Sequence, residues 1–383
     1  MTHRIDVLIP AYNAEKTLGI AVESILAQTV RDLEVHIVND GSTDSTGAIA
    51  DAFAARDPRV HVHHQANEGI VDALNAGLAH CKAEFLGRFD ADDVSYPDRF
   101  EKQLAYLAKH PDVVAVGSAV RHIDVDGHPL GSIARIGSPD KADPNHIPCI
   151  EPYLIHPTLL ARRAAITAAG DYRQVYYAED TDLYWRLRDV GRLVNMPELL
   201  GDYRFHAGSV SGQSVINGRI MSISSQLTAL STLRRTRGEP DIIFRKDSLA
   251  IYREAGTLAA MVDIAMAQLN ADERRHYEVA VAAKLMELTA YRPYEVETSD
   301  CEYIGQIARR GLDHIPEPNR GLLQRHISGT AARIAAAGRW RDARRMLPAA
   351  LYPGFSARTL ARVALPDRLW RLIRRGGLDT MYK

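Results

Sequence analysis

The chain has 383 residues, 46% hydrophobic and 25% charged, enough for two domains with sizeable cores and far from a disordered composition. The 47 Lys+Arg nearly cancel the 48 Asp+Glu, leaving a formal charge of -1, which excludes a surface built as a whole to hold nucleic acid. Three isolated cysteines (Cys81, Cys149, Cys301) supply neither a disulfide framework nor zinc-ligand spacing, and fit a reducing compartment.

The first half alternates β-branched runs with helical periods. Ile5 to Ile9 reads as a buried strand ending at Pro10, and Leu18, Val22, Ile25 and Leu26 recur with helical spacing. Leu33 to Val38 is a second strand, stopped by Asn39-Asp40-Gly41-Ser42. Thr43 or Asp44 is expected to cap a helix that turns Ile49 and Phe53 inward. Val60 to His64 is a third strand. Ile70, Leu74 and Leu78 mark a third helix, and Phe85 to Phe89 a fourth strand that opens into Asp90-Ala91-Asp92-Asp93. This alternation predicts an α/β fold with a mainly parallel sheet, whose ligands bind beyond the carboxyl ends of the strands. Asp40 and the Asp90 cluster stand at two such ends.

After about residue 215 strand alternation fades. Helices are expected over Ile220 to Arg235, Lys246 to Ala271, Asp272 to Thr289, Asn319 to Ala337 and Trp340 to Leu351. Two domains follow, residues 1–215 and 216–383, the second all-helical. The N-terminus is too short and charged for a signal peptide, and no apolar run reaches the roughly 18 residues of a spanning helix. A cytoplasmic location is therefore expected. From Pro316 to Lys383, fourteen Lys/Arg face four Asp/Glu. There Leu365, Leu369, Leu372 and Ile373 oppose Arg368, Arg371, Arg374 and Arg375, a pattern that suits either a solvated helix face or peripheral contact with an anionic membrane.

Three carboxylates within four residues repel one another, and a divalent cation is the simplest means of neutralising them; a solvated acidic turn is the plainer reading. Magnesium or manganese suits oxygen donors and keeps positions open for phosphate. Asp40 can accept from a base N–H or a ribose hydroxyl, or merely close an Asx-turn. Pro10, Tyr12 and Asn13 offer an aromatic face and backbone groups, or simply a loop. Glu179 and Asp180 open a helix on which Leu183 and Leu187 form the apolar stripe. An acidic first turn complements the helix dipole, and Asp180 is also a candidate general base. His206, after Tyr203-Arg204-Phe205, reads on its own as structural.

Taken together, these segments resemble the family-2 glycosyltransferases of GT-A fold over residues 4 to 212. The landmarks are V-L-I-P-A-Y-N (7–13), V-N-D-G-S-T-D (38–44), N-E-G-I with A-L-N-A-G (67–77) and R-F-D-A-D-D (88–93). H-P-T (156–158), A-E-D-T-D-L-Y-W-R-L (178–187) and Y-R-F-H (203–206) complete the series. The resemblance implies an inverting, metal-dependent transferase that moves sugar from a nucleotide-diphosphate donor, a UDP-sugar by expectation, to a saccharide or lipid-linked saccharide. It puts Asp40 at the base, Pro10, Tyr12 and Asn13 around the nucleotide, Arg88 on the donor and Asp90 near the ribose. Asp92 and His206 become ligands of Mn2+ or Mg2+, and Asp180, paired with Glu179, the catalytic base. A sugar-phosphate nucleotidyltransferase would need a Gly-rich basic loop after the first strand, which Pro10 to Lys16 does not supply. A non-catalytic nucleotide-sugar-binding protein would have little use for Asp92, Asp180 and His206 together.

Overall fold

The computed structural model describes residues 3–205, 214–313, 315–353 and 355, which fall into two compact units. Among them, unit 1 holds residues 3–141, 152–175 and 179–205, and unit 2 holds residues 142–151, 176–178 and the described residues from 214 onward. His206 and the basic segment from Leu365 to Arg375 lie outside the described residues.

Unit 1 begins with β1 (Ile5–Ala11), α1 (Leu18–Leu26), β2 (Leu33–Asp40), α2 (Thr46–Arg56), β3 (Val60–Gln65), α3 (Ile70–Leu78) and β4 (Phe85–Arg88). It continues with β5 (Val94–Ser95), α4 (Arg99–Lys109), β6 (Val113–Ile123), β7 (Pro129–Ala134), β8 (Leu160–Arg162), α5 (Arg163–Ala169), α6 (Glu179–Leu187) and β9 (Arg192–Arg204). The sheet runs β3-β2-β1-β4-β8-β6-β9-β5, with β7 paired to β6. The first four strands are parallel, as the alternation of strand and helix requires. β8 enters antiparallel to both β4 and β6, and β6 then pairs parallel with β9.

Alternation along β1 divides its apolar side chains between two cores. Ile5, Val7 and Ile9 join Leu18, Val22, Ile25 and Phe100 on one face, while Leu8 joins Val38, Leu74, Leu86, Leu183 and Leu187 on the other. Helices therefore cover both faces and leave the strand ends for function. One expectation changes in detail. The position before α2 is Ser45, with no side-chain cap, while the Asp44 carboxylate accepts from the Thr46 N–H at 2.9 Å.

Unit 2 is helical: α7 (Val215–Thr236), α8 (Ser248–Ala255), α9 (Leu258–Ala265), α10 (Ala271–Tyr291), α11 (Thr298–Arg309), α12 (Asn319–Ala336) and α13 (Trp340–Met346). The single helix expected over Lys246 to Ala271 is divided. Gly256, at φ +70°, follows the end of α8, and the Thr257 hydroxyl caps α9 by accepting from Ala260 N–H at 3.3 Å. Its core gathers Ile223, Leu227, Leu258, Tyr277, Leu285, Ile304 and Ile334. Buried Arg219 bridges α7 to α11 through two 2.8 Å bonds to Asp300. No helix among the described residues is long and apolar enough to cross a membrane.

Candidate active site

The loops after β1 and β2 form one rim at the carboxyl end of the sheet. Asn13, at φ +49°, donates its N–H to Ser42 Oγ at 3.0 Å and accepts from Thr43 N–H at 2.9 Å. Ala14 N–H donates to Thr46 Oγ1 at 2.7 Å. Pro10 is buried in β1 beside Val38, whereas Tyr12 stands out from the rim, 53% exposed.

Asp40, the last residue of β2, is buried and heavily committed. Oδ1 accepts from Gln65 Nε2 at 2.7 Å and Glu68 N–H at 2.9 Å, and Oδ2 accepts from Gly69 N–H at 2.9 Å. It thus orders the N-E-G loop before α3, and about one of the four lone-pair sites of the carboxylate remains. Gly41 beside it has φ +68°, and a Cβ there would sit 2.4 Å from the Asn67 nitrogen, so the close approach of the two loops requires glycine.

Two strand spacings away, about 10 Å across the sheet, β4 delivers Arg88 and the D-A-D-D loop. Ligand oxygens of Asp90, Asp92 and Asp93 all lie within 4.8 Å of one another. Arg88 is buried, and its Nη1 meets Asp90 Oδ2 at 2.6 Å. Burial works against its charge, but the Asp90 carboxylate more than compensates and holds the guanidinium above its ordinary pKa. Asp93 is buried too, and burial together with the charges of Asp90 and Asp92 pushes its carboxyl well up. The repulsion among these carboxyls, which Arg88 and the Arg204 N–H offset only in part, in an all-oxygen donor set fits a hard divalent ion.

The loop is held by a residue whose part the sequence did not reveal. Arg204, the last residue of β9 and buried, donates Nε to the Asp92 carbonyl at 2.7 Å and Nη1 to the Asp124 and Val125 carbonyls at 2.9 Å each. Its backbone N–H donates to Asp93 Oδ1 at 2.8 Å. A basic residue in Y-R-F-H was the only available signal.

α6 brings Glu179 and Asp180 into the same electrostatic neighbourhood. Burial raises the Glu179 carboxyl, Asp180 and Asp90 raise it further, Arg88 opposes them, and it ends at about 8. Glu179 therefore senses Asp180, Asp90 and Arg88 together. The third acid of that helix serves structure: Asp182 is fully buried and receives Arg173 Nε at 2.9 Å and Arg186 Nη2 at 2.7 Å. Behind Arg88 stand His156, Tyr172 and Tyr184. His156 Nε2 meets Tyr172 Oη at 2.8 Å, and burial, aided by Arg88, keeps the imidazole neutral. H-P-T was legible as a landmark, but nothing in it disclosed this pairing.

An α/β sheet with an acidic cluster just past a parallel strand, and an acidic helix start beside it, defines a transferase of GT-A type. Comparison with known proteins specifies it further. The family model for Glycosyl transferase family 2 matches residues 6–168. The chain is 34% identical over 218 residues to the amylovoran biosynthesis glycosyltransferase AmsE of Erwinia amylovora, covering 56% of this chain and 79% of that protein. It is 32% identical over 209 residues to the chondroitin synthase of Escherichia coli, covering 54% of this chain and 30% of that protein. Among solved structures it is similar to S. aureus TarS 1-349 in complex with UDP-GlcNAc. There the identity is 14% and the TM-score 0.48, over 87% of this chain and 92% of that one, a likeness too slight to carry an inference. The chain belongs to glycosyltransferase family 2, and it is a glycosyltransferase.

Proposed function

We propose that the protein transfers a sugar, with inversion, from a nucleotide-diphosphate donor to a hydroxyl of a saccharide or lipid-linked saccharide. The observation that carries this reading is the cluster of Asp90, Asp92 and Asp93 oxygens after β4, with Glu179 at the start of α6 feeling the charges of Asp180, Asp90 and Arg88. Polysaccharide assembly is the biological setting we infer, in keeping with the relative named for amylovoran biosynthesis.

Asp180 accepts the proton of the acceptor hydroxyl as its oxygen attacks the anomeric carbon. A one-step displacement from an α-linked donor then gives a β-linked product. Burial and the charges of Asp180 and Asp90 push the Glu179 carboxyl up, so the two acids at the start of α6 titrate as a pair. Arg88 contributes a fixed positive charge beside Asp90, oriented in advance and shielded from water. Asp90 faces the ribose, and Pro10, Tyr12 and Asn13 lie around the nucleotide. The free lone pair of Asp40 suits the N–H of a pyrimidine, which favours a uridine donor. Asp92, with Asp90 and Asp93 around it and His206 as a further ligand, would hold Mg2+ or Mn2+. When bound, such an ion supplies Lewis-acid stabilisation of the departing diphosphate. The basic C-terminal segment would rest the enzyme on the inner face of a membrane near a lipid-linked acceptor, a proposal that liposome flotation with and without the residues after Pro366 tests.

General-base help of this kind is worth about 10²–10⁴-fold. Asp180→Asn is expected to lose transfer by about that factor while donor binding persists. Undiminished turnover in the variant would overturn the assignment.

A further inference from the structure

A fully buried arginine beneath the acidic loop bonds only to neutral oxygens. Arg99, the first residue of α4, is 1% exposed. Its Nε donates to Gln103 Oε1 at 3.2 Å, and its Nη2 donates to the Arg88 and Leu159 carbonyls at 3.2 Å each. Nη1 is shielded from solvent and lacks a hydrogen-bond partner. The guanidinium otherwise lies against two aromatic rings, 4.8 Å from the centre of Phe100 and 5.5 Å from that of Phe89.

Uncharged side chains can bond to carbonyls and an amide, whereas a buried charge without a counter-charge is costly. The fold therefore keeps a positive charge here that its immediate contacts do not require. Burial pushes the guanidinium down, Asp93 opposes the fall and Arg88 adds to it, and the group ends at about 9, still charged at neutral pH. Arg88 stands against Tyr172 and Tyr184, and Arg99 against Phe89 and Phe100, residues of the two cores on opposite faces of the sheet. The two charges thus flank the end of β4 from both sides. Asp90 follows Arg88 by two residues, and an extended residue spans at most about 3.3–3.6 Å, so the D-A-D-D loop starts within about 10 Å of the Arg99 charge.

We propose that Arg99 sets the charge of the donor site from a distance, attracting the donor's diphosphate and opposing a cation that arrives without one. This rests on the reading that the D-A-D-D loop carries that diphosphate. With Arg88 and Arg204, Arg99 brings a third buried guanidinium to a loop of three carboxylates. A divalent ion gains little there until phosphate oxygens supply further negative charge, so ion and diphosphate bind and leave together. A residue that only held the Arg88 and Leu159 carbonyls would, when lost, loosen the loop and weaken both ligands. Loss of a charge instead moves them in opposite directions. At about 10 Å and an effective dielectric constant of about 20, one unit charge alters the affinity of another by about tenfold or more.

The test measures Mn2+ binding, without and with UDP, by the paramagnetic resonance of the free ion, and UDP binding in chelator by calorimetry. The full chain is compared with Arg99→Met, Arg99→Gln and Gln103→Leu, their fold checked by circular dichroism. The wild type should bind Mn2+ alone at least about tenfold more weakly than with UDP. Both neutral variants should bind Mn2+ alone about tenfold more tightly than the wild type and UDP in chelator about tenfold more weakly. Gln103→Leu removes a partner of Arg99 but keeps the charge, and should leave both affinities near those of the wild type. Equal Mn2+ affinity with and without UDP in the wild type would overturn the proposal, as would neutral variants in which both affinities fall together or neither moves. A wild type that binds no UDP in any of these conditions would overturn the donor reading itself, and the proposal with it.

Discussion

Replacement of Arg204 by alanine tests whether the acidic loop is held in place from β9. The side chain makes three bonds to carbonyls, and removing it strands all three acceptors. The Asp124 and Val125 carbonyls belong to a turn whose residues are half-buried and exposed, so water can replace the arginine there. The Asp92 carbonyl sits inside the loop, and a bond from a charged donor is worth about 1.5–3 kcal/mol. That is the expected loss of unfolding free energy. The same loss, acting on the geometry of the D-A-D-D loop, corresponds to a fall of about 10–100-fold in donor affinity measured with Mn2+, since 1.4 kcal/mol is about tenfold. Arg204→Lys keeps the charge but not the forked donor, and should recover stability better than affinity. Urea unfolding and calorimetric titration of UDP with Mn2+ read the two effects separately. Stability within about 0.5 kcal/mol of wild type, as for an ordinary surface change, together with unchanged donor affinity would refute the clamp.

Two further outcomes follow from buried charges. The native state binds the Glu179 proton more tightly than the unfolded chain, because its carboxyl is raised to about 8. Stability should therefore fall as pH rises from about 5 to about 8, and Glu179→Gln should flatten that slope, by about 1–2 kcal/mol after allowance for partial exposure; parallel melting curves across this range would contradict it. Asp182→Ala leaves Arg173 and Arg186 without their shared buried carboxylate. It should cost about 3–5 kcal/mol, and chemical denaturation showing a loss below 1 kcal/mol would count against the pairing.

How much of this was legible depends on how local each feature is. β1 to β4 and the helices between them were readable because each carries its own period and a turn signal at its end. β6 and β9 escaped notice. Their ladder has register shifts near Ala115, Ala119 and Arg121, and β9 runs through Pro197 and Glu198, which spoil any alternation. β5 is two residues long and exists only by pairing with β9. α11 was missed because its buried face includes Asp300, a polar residue satisfied by the distant Arg219 as well as by the Glu297 N–H of its own capping box. The single helix read across Lys246 to Ala271 ignored Gly256, whose positive φ suits a helix end. In the site, Asp90, Asp92 and Asp93 were evident because they are neighbours in sequence, as are Glu179 and Asp180. The Arg204 clamp and the His156–Tyr172 pair depend on tertiary contacts that no single segment announces.

The central claim is that the acidic cluster after β4 carries the donor's diphosphate through a divalent ion while Asp180 handles the acceptor. Calorimetric titration of UDP into wild type, Asp92→Asn and Asp180→Asn, each with Mn2+ and with chelator, tests it most directly. Mn2+ should tighten binding in the wild type and in Asp180→Asn but not in Asp92→Asn. Equal affinity with and without Mn2+ in the wild type, or a full manganese effect in Asp92→Asn, would contradict it.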